Sequence, residues 1–119
     1  MQDDLFGADA PPPSTTPAAQ SVRKSRGVQA VVPSEALLAL AQAMPPQLRM
    51  GVSTWSYPGW DGLVWDGAYD PSVLSRRGLT ALSQHPLMRT VCVDRSFWRP
   101  LSVEQYAQMA AQAPEDFRF

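Results

Sequence analysis

A short apolar strand that runs into a polar or aromatic loop occurs twice in this chain, with helix-like sequence between the two copies. The first is Gly51-Val52-Ser53-Thr54-Trp55-Ser56-Tyr57-Pro58-Gly59-Trp60; the second is Thr90-Val91-Cys92-Val93-Asp94 followed by Arg95-Ser96-Phe97-Trp98. A third strand opens at Phe117-Arg118-Phe119. Strands that alternate with helices specify an α/β fold with a parallel sheet, because two parallel strands need a long crossover between them. In such sheets binding and catalytic groups sit where the strands end. The 119 residues make one ordinary domain at most. That is about half of the ~250 that a complete (β/α)8 barrel needs.

Charge excludes some functions. Lys+Arg number 10 against Asp+Glu 11, a balance that argues against a large basic groove for nucleic acid in this segment. The single cysteine cannot form an internal disulfide, so a reducing cytosol is the expected compartment. No apolar run reaches the ~18 residues of a membrane span. Met1-Gln2-Asp3-Asp4 is acidic and lacks the basic and apolar regions of a signal peptide. These features predict a soluble cytoplasmic protein that does not enter a membrane.

Residues 1–32 read as a disordered, Pro-rich tail, with the folded part over 33–119. Pro11-Pro12-Pro13 and Pro17 favour extended backbone, and the segment buries little apolar area against the entropy of ordering. Arg23, Lys24 and Arg26 form a small basic cluster that fits either a solvated linker or a phosphate-binding patch. At the tip, Gln2-Asp3-Asp4-Leu5-Phe6 resembles the peptide by which bacterial polymerases and repair proteins dock on the sliding clamp. Leu5 and Phe6 supply adjacent apolar anchors and Gln2 a hydrogen-bonding handle. A tail without a partner, or a strap on the protein's own core, is the other reading.

Three helices follow from capping and spacing. Pro33-Ser34-Glu35 opens the first, whose face carries Leu37, Leu40, Ala41 and Met44, and Pro45-Pro46 ends it. Asp70-Pro71 places a cap and a first-turn proline before a helix to about Gln84, with Leu74, Leu79 and Leu82 apolar and Gly78 weakening it. Ser102 starts a third, with the stripe Tyr106, Met109 and Ala113. The strands are expected over Leu48 to Val52 and Arg89 to Val93.

The loop after the first strand is dense in rings: Trp55, Tyr57, Trp60, Trp65 and Tyr69, with Trp-Asp-Gly at Trp60 and again at Trp65. Such rings either seal the end of a core or offer stacking surface to a ligand. Trp65 and Tyr69 suit the first role; Trp55, Tyr57 and Trp60, nearer the strand end, suit both. Asp94 closes the second strand, where a carboxylate serves acid–base or binding chemistry, or else caps the loop that holds Ser96. Cys92 reads as a small apolar residue between Val91 and Val93, with no partner base to make it a nucleophile. His85 is the only histidine, so neither a metal set nor an imidazole pair can be drawn from the sequence.

Three blocks carry a more specific signal. Gly51-Val52-Ser53-Thr54-Trp55-Ser56-Tyr57-Pro58-Gly59-Trp60, the run Val91 to Trp98, and Pro114-Glu115-Asp116-Phe117-Arg118-Phe119 resemble, in order and spacing, the first three strand regions of the YecE-like family, domain of unknown function 72. The resemblance implies the N-terminal part of a TIM-type barrel, about two βα units and the start of a third strand, so that the chain alone would be a truncated fragment without independent activity. It implies no established reaction and leaves the cofactor unknown. A full-length relative would be a hydrolase or isomerase working at the C-terminal rim. There Asp94 and Ser96 are the catalytic candidates, and Ser53, Trp55, Tyr57, Trp60 and Trp98 are the substrate-binding ones. The second strand departs from the family pattern: Cys92 stands where the family has glutamate, Asp94 replaces asparagine, Ser96 threonine and Trp98 tyrosine. Loss of that glutamate removes one acid–base group. The alternative function is a non-catalytic accessory of DNA repair or replication, docked on the clamp through Gln2, Leu5 and Phe6.

Overall fold

The structure, a computed structural model, describes residues 27–119. The basic cluster and the Gln2-Leu5-Phe6 peptide lie outside the described residues. Helix α1 spans Glu35–Ala43 and is capped by Ser34, whose hydroxyl accepts the Leu37 N–H at 3.2 Å. Leu37, Ala41 and Met44 are half-buried, but Leu40, expected on the same face, is 51% exposed. The last turn of α1 flanks the starts of the two strands across a hollow of about 360 Å3 lined by Met44, Pro46, Met50 and Leu87 among others.

Strands β1 (Met50–Val52) and β2 (Met88–Val91) pair in parallel, with Gly51 opposite Thr90 and Val52 opposite Val91, as the alternating pattern requires. The register shifts between Met50 and Gly51. Gly51 is needed at this point: a Cβ there would run into the Thr90 carbonyl of the neighbouring strand. On the far side of β2, Arg118 forms a parallel bridge with Thr90. The Val91 N–H donates to the Arg118 carbonyl at 3.0 Å and the Arg118 N–H to that of Arg89 at 3.1 Å. The lateral order is therefore β1, β2, then the Arg118 segment. Both strands are shorter than the spans expected: β1 starts at Met50, after Leu48, and β2 ends at Val91 because the chain soon turns into a 3-10 segment, Asp94–Phe97.

Helix α2 (Pro71–Leu82) connects the strands. Asp70 caps it by accepting the Ser72 N–H at 2.8 Å, and Leu74, Leu79 and Leu82 are fully buried. Helix α3 (Val103–Ala111) starts with a reciprocal Ser102–Gln105 capping box. Of its expected stripe, Met109 is buried and Ala113 packs against the core, whereas Tyr106 is 46% exposed. The centre of the core is Trp65, Leu74, Leu79 and Leu82, joined by Trp55, Val91 and Phe117.

One segment differs from its sequence expectation. Residues 27–32, read as part of the tail, lie against the loop after β1: Val28 is buried, Ala30 bridges Trp65, and backbone bonds join Asp66 to Gln29 and Val31 to Val64. The loop's backbone groups and the Trp65 ring need cover, and this short apolar stretch supplies it. No helix among the described residues is long and apolar enough to cross a membrane.

Candidate functional site at the strand ends

The chain leaves β1 at Val52 and β2 at Val91 on the same side of the sheet, since the strands are parallel. The residues just beyond are those the sequence singles out, and the structure sorts them into two groups.

Trp55, Trp60 and Trp65 face inward. Trp55 is 3% exposed, and its indole N–H donates to the Ser75 carbonyl of α2 at 3.0 Å. The Arg95 guanidinium lies over its ring, 4.6 Å from the centroid, and donates to the Ser75 hydroxyl at 3.2 Å. Trp65 is fully buried and donates its indole N–H to the Tyr57 carbonyl at 2.8 Å. Trp60 is half-buried, 6.2 Å from the Trp65 ring and edge-on to Tyr57 at 5.6 Å. Tyr69, also packed against the core, donates its hydroxyl to Asp66 at 2.5 Å and accepts the Gln29 N–H. Gly78 makes this docking possible. A Cβ there would sit 2.6 Å from the Trp55 carbonyl and 3.4 Å from the Trp65 ring. The glycine that weakens α2 as a helix is where the aromatic loop lies on it.

The outward group is Ser53, Tyr57, Cys92, Asp94, Phe97 and Trp98, all exposed. Asp94, Phe97 and Trp98 line an open hollow of about 540 Å3; Phe97 is 83% exposed and Trp98 93%. Large rings so exposed at strand ends cannot serve this chain's own core. Thr54 and Ser56 share a hydroxyl–hydroxyl hydrogen bond at 3.2 Å. Ser96 donates to the Val93 carbonyl at 2.8 Å, so its hydroxyl proton is engaged within its own turn.

Cys92 differs from its expected role as a packed apolar residue. The strand ends at Val91, which leaves the thiol exposed and donating to the Asp94 carboxylate at 2.7 Å. That hydrogen bond first, then slight desolvation and the carboxylate charge, push the Cys92 pKa up, so the sulfur holds its proton and is a poor nucleophile. The same bond occupies one oxygen of the site's carboxylate. His85 is at the opposite end of the sheet, before β2, where its Nδ1 accepts the Leu87 N–H at 3.2 Å. Burial lowers its pKa, which matches a neutral imidazole with an accepting nitrogen. Among the described residues no three His, Cys, Asp or Glu side chains gather closely enough to hold a metal ion.

The structure thus brings Asp94 and Trp98 to one hollow beyond β2, leaves Ser53 and Tyr57 exposed beyond β1, and places the rings of Trp55 and Trp60 partly or wholly inside. Phe97 and Arg95 were not singled out from the sequence. Their position directly after a strand end beside Asp94 was the signal available for both.

The family model described as "Protein of unknown function DUF72" matches residues 49–119, more than half of the chain. No curated protein and no solved structure matches the chain.

Proposed function

The chain belongs to the DUF72 family, and from that premise we propose that it forms the first two strand–helix units of a TIM-type barrel whose C-terminal rim binds a hydroxyl-rich, uncharged ring such as a sugar. The observation that carries this reading is the hollow beyond β2, where two almost fully exposed rings, Phe97 and Trp98, flank the Asp94 carboxylate. Aromatic faces take up the apolar C–H faces of a sugar ring, and a carboxylate accepts from its hydroxyl groups. An anionic ligand would be repelled by Asp94, and the nearby cation, Arg95, is turned onto Trp55. The consecutive order β1, β2, Arg118, with helices in the crossovers, supports the barrel part of the reading.

Hydrolysis or isomerisation of such a ligand needs positioned proton-transfer groups. Asp94 would accept a proton once a substrate hydroxyl displaces the Cys92 thiol from it. The described strand ends carry no second carboxylate or imidazole beside Asp94 among the residues lining the hollow. Asp94 is therefore the proton acceptor that this rim contributes to such chemistry. Titration of the chain with a panel of neutral disaccharides, followed by tryptophan fluorescence, tests the reading. Saturable quenching that is lost in Trp98→Ala is expected. Affinity unchanged in that variant, whose ring supports nothing in the core, would overturn it.

A further inference from the structure

A second concave surface lies between α2 and α3, with Arg95, the residue after Asp94, on its rim. It measures about 550 Å3, within the range of small-ligand sites, and is lined by Arg76, Arg77 and Arg95 and by Gln105, Gln108 and Gln112, with no acidic residue. Leu101 and Met109 contribute apolar lining.

The arginines divide by what they hold. Arg49, Arg89 and Arg118 each donate to backbone carbonyls, of Asp116, of Pro46 and Leu48, and of Glu115 respectively, and so tie loops together. Arg76 and Arg77 make no side-chain hydrogen bond or ion pair among the described residues, and Arg95 reaches only the Ser75 hydroxyl and the Trp55 ring. Asp70, the helix cap, feels the charge of Arg76 weakly: its lowered pKa comes first from its hydrogen bonds to Ser72. Three guanidinium groups in one cleft that no carboxylate lines raise the local positive potential.

Gln112 fixes one wall of the cleft. Its amide N–H groups donate to the Arg76 carbonyl at 3.0 Å and the Gln108 carbonyl at 3.2 Å, so the side chain cannot be turned over without losing both. Its Oε1 is buried and has no donor. That oxygen is closed off from the cleft, so Gln112 shapes its wall and meets no ligand.

We propose that the α2–α3 cleft is a binding site for a small phosphorylated molecule. Arg76 and Arg77 hold the phosphate oxygens through their planar forks, Arg95 adds charge, and Leu101 and Met109 cover the carbon skeleton that inorganic phosphate lacks. The site is independent of the sugar-binding reading of the strand ends, because it shares no lining residue with that hollow.

The test uses the whole chain, with inorganic phosphate, glycerol phosphate and a short single-stranded oligonucleotide as probes, read by calorimetry and by 31P line width at low and moderate chloride. Saturable binding of glycerol phosphate, tighter than that of inorganic phosphate, is expected. The double variant Arg76→Gln/Arg77→Gln should lose at least about tenfold in affinity, as the removal of charge-assisted hydrogen bonds predicts. Gln108→Glu, which places a negative charge on the cleft without touching an arginine, should weaken binding as well. Arg99→Gln, an equal charge change outside the cleft, should leave it unchanged. Near-ultraviolet circular dichroism confirms that each variant is folded. Equal loss in Arg99→Gln, no loss in the double variant or in Gln108→Glu, or binding of the oligonucleotide alone would overturn the proposal.

Discussion

Replacing Gly78 with alanine sets two physical effects against each other, and the structure decides between them. On helix propensity alone the change stabilises α2 by about 1 kcal/mol. The added methyl, however, would stand 2.6 Å from the Trp55 carbonyl, a backbone atom, and 3.4 Å from the Trp65 ring. Neither neighbour yields freely, since Trp55 is pinned to Ser75 at 3.0 Å and Trp65 to Tyr57 at 2.8 Å. Inserting a methyl into such a packed contact costs about 1–3 kcal/mol. The net expectation is a loss of about 1 kcal/mol, or a Tm lower by about 4–8 °C for a domain of this size. Thr80→Ala, on the exposed side of the same helix, serves as the control and should be neutral or slightly stabilising. Thermal and urea unfolding followed by tryptophan fluorescence measure both. A Gly78→Ala protein as stable as the wild type, or more so, would refute the docking of the aromatic loop on α2.

Two further outcomes follow from the titrating groups. Burial lowers the His85 pKa, so the folded protein takes up that proton less readily than the unfolded chain does. Stability is therefore full above the ordinary histidine value near 6.5 and declines as pH falls from there through the folded pKa, and His85→Asn should flatten urea midpoints measured across that range. The Cys92 thiol is held protonated chiefly by its bond to Asp94, so Asp94→Asn should speed its alkylation by iodoacetamide at mildly alkaline pH. An unchanged rate would show that the thiol–carboxylate bond does not form in solution.

The helices were legible because their signals are local. Ser34, Asp70-Pro71 and Ser102 each cap where the residue types predict, and Leu74, Leu79 and Leu82 are buried at helical spacing. The parallel pairing of the strands followed from their alternation with helices. What stayed hidden depends on partners distant in sequence. Val28 and Ala30 look like linker until Trp65 and Val64 are placed beside them. The burial of Trp55 rests on Ser75 and Arg95, neither of which marks itself as a partner of a strand-end ring. Cys92 was misread because β2 ends one residue before it, and strand ends are poorly marked where a 3-10 turn follows at once. The α2–α3 cleft was invisible for the same reason. Arg76, Arg77 and Arg95 meet only when two helices and a rim loop come together.

The division of the rings into a buried set and an exposed set is the claim on which the site rests, and hydrogen exchange of the indole N–H groups tests it directly. The chain has four tryptophans, each giving one indole signal in a 15N–1H spectrum. Trp55 and Trp65, buried and bonded to the Ser75 and Tyr57 carbonyls, should exchange slowly, while Trp98, 93% exposed, should exchange at once. Immediate exchange of Trp55 and Trp65, or protection of Trp98 in the free chain, would contradict the account.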